Sequence, residues 1–68
     1  MNQKRRTKVA AFARLVAAAA RAVEAEAQAL EAVAIVGSEP AVDIFVSDLV
    51  ESTALLERLM NDLKELEK

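Results

Sequence analysis

A chain of 68 residues with net charge −2 can form at most one small domain, and one this short buries only ~60% of its unfolded surface when it folds alone, so association with a second copy is expected. It has no Cys and no His, which excludes disulfide frameworks, Cys/His zinc sites, thiol nucleophiles and imidazole acid–base chemistry. Fifteen alanines against one Gly, one Pro, two Phe and no Trp or Tyr make up helices rather than strands, and the predicted fold class is all-α.

The first 23 residues hold Lys4, Arg5, Arg6, Lys8, Arg14 and Arg21 and no acid, while all eleven acids and the other three bases follow. A basic start ahead of Val9-Ala10-Ala11-Phe12-Ala13 imitates a secretory signal or an Ala/Arg-rich transit peptide. Arg14 and Arg21 cut the apolar runs short, however, and none approaches the ~20 residues of a membrane span. Arg5-Arg6 also lacks the surroundings of a twin-arginine signal. The expectation is a soluble cytoplasmic protein without a membrane partner.

A first helix is predicted at about residues 5–36, with its apolar positions repeating every seven. Val9, Val16, Val23 and Leu30 form one column, and Phe12, Ala19, Glu26 and Val33 form the next. The break at Gly37-Ser38-Glu39-Pro40 reads as a helix end followed at once by a helix start. Gly37 suits a left-handed residue past the first helix, Ser38 suits an N-cap, and Pro40 is tolerated only in a first turn. Asp43 and Glu39 add charges favourable to the new helix's dipole. The second helix is predicted at about 39–66, its columns being Val42, Leu49, Leu56, Leu63 and Phe45, Ser52, Leu59, Leu66.

A connection this short, at residues 37–38, makes the helices antiparallel neighbours in a single domain over 1–68. Folding there sets Val33 beside Phe45, Ala19 beside Leu59 and Phe12 beside Leu66, each pair of numbers summing to 78. Glu26, the acid of the first seam, then falls opposite Ser52. The basic start of helix 1 meets Asp62, Glu65 and Glu67 at the end of helix 2, so the lopsided charge has a topological explanation, although each exposed pair is worth only ~0–1 kcal/mol.

Beside the seam, one flank consists of Ala13, Ala20, Ala27 and Ala34 from helix 1 and Val46, Thr53 and Met60 from helix 2. These seven are free of charge and small enough for close approach, so they are the expected homodimer face, joining two hairpins into a four-helix bundle. The opposite flank, with Leu15, Ala22, Ala29 and Val36 beside Asp48, Leu55 and Asp62, is half polar. Glu26 is read as a carboxylate that reaches water or bonds Ser52 or Thr53 and sets the register, in preference to a general acid or a metal ligand. At the turn end, Ile35, Val36, Ile44 and Val50 are more apolar than a solvent-facing tip requires, which suits dimer contact or docking of another protein.

In layout the chain resembles the plasmid Rop family, with Phe12-Ala13-Arg14 in helix 1 and Asp43-Ile44 after the turn. The resemblance implies hairpins that dimerise into a four-helix bundle and regulate plasmid copy number by binding paired RNA loops. The polar, amide-rich outer face that such RNA binding implies is replaced here by alanine.

No serine or threonine has a histidine base, and one Gly cannot build a phosphate loop, so an enzyme is not expected and no catalytic, metal or cofactor residue is assigned. The functional expectation is a homodimeric coiled-coil hairpin that binds another protein as a regulator or adaptor, with no small-molecule substrate. Candidate partner-binding residues are Lys4, Arg5, Arg6, Lys8 and Arg14 at the basic end and Ile35 and Ile44 at the turn. The alternatives are a nucleic-acid-binding regulator that uses the basic end, and a structural or designed assembly module. Against nucleic acid stands the assignment of both potential stacking rings, Phe12 and Phe45, to the core.

Overall fold

The computed structural model describes residues 3–66, which form two helices, α1 at Gln3–Val36 and α2 at Glu39–Glu65. The molecule extends 52 × 15 × 10 Å. At 1.5 Å rise per residue, the 34 residues of α1 account for the whole length. α2 therefore runs back along α1, and the chain is a helical hairpin one helix thick and two wide.

The heptad columns make the seam. Every one of the four columns predicted to face inward is at least half-buried, from Val9 to Val33 in α1 and from Val42 to Leu66 in α2. Exposure of the remaining positions follows from the geometry of two helices, since each can cover only one stripe of the other. Among the described residues only Ala19, at 8% exposed, is buried outright. Its methyl group leaves no bulk between the backbones, so the facing helix closes over it.

The turn is held by backbone groups and by the Ser38 side chain. The Gly37 N–H donates to Val33 O at 2.6 Å, which satisfies an end carbonyl of α1. Ser38, at φ −77° and ψ 159°, caps α2: its Oγ accepts from the Ala41 N–H at 3.3 Å, and its carbonyl accepts from the Val42 N–H at 3.0 Å. Pro40 stands in the first turn of α2, where its missing N–H deprives no carbonyl of a donor.

Gly37 departs from expectation, because its φ is not positive and the left-handed cap is absent. The requirement for glycine comes from crowding instead. A Cβ at position 37 would lie 2.7 Å from both the carbonyl oxygen and Cγ1 of Val33. A side chain could rotate away, but the carbonyl is fixed by the helix it ends.

Candidate interaction surfaces

The open end of the hairpin is closed by a side chain. Arg5 sits in the same column as Phe12, seven residues earlier, and is half-buried. Its Nε donates to the carbonyl of Leu66 at 2.5 Å. Leu66 is the C-cap of α2, so a guanidinium stands at the negative end of that helix dipole. Arg5 is thus a tether between the two helices as well as a cation, which the sequence reading overlooked. Its place one heptad before Phe12 was the available signal.

The other basic residues divide between two sides of α1. Lys4 and Lys8 join Arg5, Glu65 and Leu66 around a shallow depression at the open end, where α1 cations meet the α2 terminus. Asp62 does not line it, and Glu67 lies outside the described residues. Arg6 and Arg14 line a different depression with Gln3, Thr7, Ala10 and Ala11, formed by α1 alone. Lys4, Arg6, Lys8 and Arg14 are all exposed.

On the alanine flank, Ala13, Ala20, Ala27, Ala34, Val46 and Met60 are exposed. Thr53 is half-buried, and its hydroxyl donates to Leu49 O at 2.8 Å within α2. That bond hides the one polar group of the flank. The opposite flank exposes larger side chains, Leu15, Val36 and Leu55, with Asp48 and Asp62 among them. At the turn, Ile35 and Ile44 are 77% and 61% exposed and Val36 is 85% exposed. They surround a tip to which Glu39 and Asp43 add carboxylates beside Ala34, Gly37 and Val42.

Glu26 is the anomaly of the seam. The residue is half-buried, and its Oε2 is enclosed without a hydrogen-bond partner. The expected bond to Ser52 or Thr53 is therefore not made by that oxygen, and the Thr53 hydroxyl is committed to its own helix. An enclosed polar atom without a partner costs ~1–3 kcal/mol, a cost that the Glu26 Oε2 brings to the middle of the seam.

Among the described residues, no group of three or more carboxylates is arranged to hold a metal ion, and no helix is long and apolar enough to cross a membrane. The chain matches no protein-family model, no curated protein and no solved structure. The resemblance to the Rop family is thus one of layout.

Proposed function

We propose that the protein is a non-enzymatic, self-associating helical hairpin whose dimer, a four-helix bundle, binds another protein as a regulator or adaptor in the cytoplasm. The observation that carries the reading is how little the single hairpin encloses. Its radius of gyration is 15.8 Å, where a compact chain of this length has ~11 Å. Its accessible surface is 5267 Å², where a folded monomer of 7.3 kDa exposes ~4,200 Å². The excess, ~1,100 Å², exceeds the ~800 Å² that each partner contributes to a standard interface. A second hairpin stacked on the first would cover most of that excess.

The alanine flank is the face that supports this stacking, because its exposed residues, four alanines with Val46 and Met60, are apolar and uncharged between Arg6 at one end and the turn at the other. The exposed Ile35, Val36 and Ile44 at the tip support a protein partner for the assembled dimer. A second reading, a regulator that binds nucleic acid, draws on Arg6 and Arg14 sharing one side of α1 with Gln3 and Thr7, clear of the α2 carboxylates.

Size-exclusion chromatography with light scattering, on protein purified without nuclease, tests both. The expected result is twice the 7.3 kDa chain mass, reduced to one chain by Ala20→Arg or Ala27→Arg. A single-chain mass for the unaltered protein overturns the proposal. Because the chain has no Trp or Tyr, strong nucleotide absorbance in the protein peak that high salt removes would shift the assignment to the second reading.

A further inference from the structure

Charge is arranged along this hairpin in blocks. Residues 1–23 carry six bases and no acid, residues 24–57 carry eight acids and no base, and residues 58–68 carry three of each. Folding at the turn wraps the acidic block around one half of the molecule and leaves the basic block at the open end beside a neutral stretch. The long axis is 52 Å, several times the ~8 Å over which physiological salt screens a charge. The two ends are therefore separate poles, positive at the open end and negative at the turn.

Resting on the self-association reading, we propose that the occupant of the alanine flank is a second copy laid antiparallel, with its acidic turn end over the basic open end of the first. Two hairpins stacked face to face have two twofold arrangements. If the axis runs along the helices, turn lies over turn and α1 covers the partner's α2, which sets each pole against its like. If the axis runs across them, α1 lies antiparallel on the partner's α1 and each pole meets its opposite. The apolar area to be covered is the same in both, so charge selects between them.

The flank itself is suited to reversal. Antiparallel pairing places Ala13 over the partner's Ala34 and Ala20 over the partner's Ala27, so methyl groups meet methyl groups along α1. On α2 it places Val46 over the partner's Met60 and Thr53 over its own copy. The first set is centred between residues 23 and 24, and the second on Thr53, which a turn centred between residues 37 and 38 sets level with residue 22. The two centres differ by under two residues, ~2 Å along the axis, so one twofold axis serves both helices. Arg6 continues the alanine column by one heptad and is exposed. In this arrangement it lies just past the partner's turn, where the partner's Glu39 is the nearest carboxylate, while Arg14 comes level with the partner's Val33, two residues from the partner's Glu31. The basic residues of α1 then bind the second copy instead of a phosphate.

The chain has no native cysteine, so single-cysteine variants report the geometry by disulfide formation in air. Thr53→Cys alone is expected to give a covalent dimer, as is a mixture of Ala20→Cys and Ala27→Cys, whereas a disulfide between Ala27→Cys and Thr53→Cys is not expected when those two are mixed. Arg6→Glu is expected to weaken the dimer about tenfold, the pair being present twice, and Arg6→Glu with Glu39→Arg to restore it. Circular dichroism of each variant confirms that the helices are intact. Cross-linking of Ala27→Cys with Thr53→Cys, without the Thr53→Cys homodimer, would establish the turn-over-turn arrangement and overturn the proposal. So would a dimer in which none of these pairs cross-links, or a double charge swap that restores nothing. A single-chain mass at every concentration would instead defeat the self-association on which the proposal rests.

Discussion

The two ends of the hairpin are closed by different means. At the turn, Gly37 and Ser38 make hydrogen bonds to groups three or four residues away, and the bonds form as soon as the chain bends. At the open end, the Nε of Arg5 reaches a carbonyl 61 positions further along the chain, a bond that exists only once both helices have paired over their full length. The turn is consequently expected to anchor the pairing, and the open end to fray first. The charge is divided in the same way. The acidic turn end carries its excess apolar surface on Ile35, Val36 and Ile44, while the basic end spends Arg5 on holding the helices together.

The comparison is most severely tested by trimming one ring at each end. Phe45 packs near the turn and Phe12 near the open end, both half-buried. Phe45→Ala is expected to cost about 2 kcal/mol and Phe12→Ala about 1 kcal/mol, below the ~3–5 kcal/mol of a fully enclosed ring. Urea unfolding followed by helical circular dichroism, at one protein concentration, checks this, and equal losses would remove the distinction between anchor and free end.

Gly37→Ala sharpens the account of the turn. Because the new methyl group would press on a carbonyl as well as on a side chain, a loss of ~1–3 kcal/mol is expected, typical of an overfilled site. A neutral or stabilising Gly37→Ala would show that the turn has room to adjust. The smallest effects separate the two kinds of closure. Ser38→Ala should lower the unfolding free energy by ~1 kcal/mol. Arg5→Ala should lower it by about 0.5 kcal/mol, the worth of one cation at a helix end. Hydrogen exchange adds a positional readout, since Arg5→Ala should speed exchange in the last turn of α2 and leave residues 38–45 unchanged.

The seam was legible because a pattern of seven needs no knowledge of distant contacts. Phe12, Val16, Leu49 and Leu56 could be assigned to one stripe from spacing alone, and all are half-buried. The polar group inside the seam was harder to read. Spacing set Glu26 opposite Ser52, but whether two side chains bond depends on rotamers and helix separation, and the Glu26 Oε2 is enclosed without a partner. The exposed tip residues were also legible, as an excess of branched apolar side chains beside a turn, although nothing in the spacing distinguishes a tip from a contact.

Two helices, their boundary at Gly37-Ser38 and the stripe along which they meet are legible in the chain, because helix propensity, capping and heptad periodicity are local properties carried within a few residues. The crowding that requires glycine at position 37, the tie from Arg5 to Leu66 and the unpartnered Glu26 Oε2 emerge only in the folded hairpin. Each of these depends on how closely particular atoms approach after the chain folds back. Such distances follow from the packing of the pair and are not encoded in either helix alone.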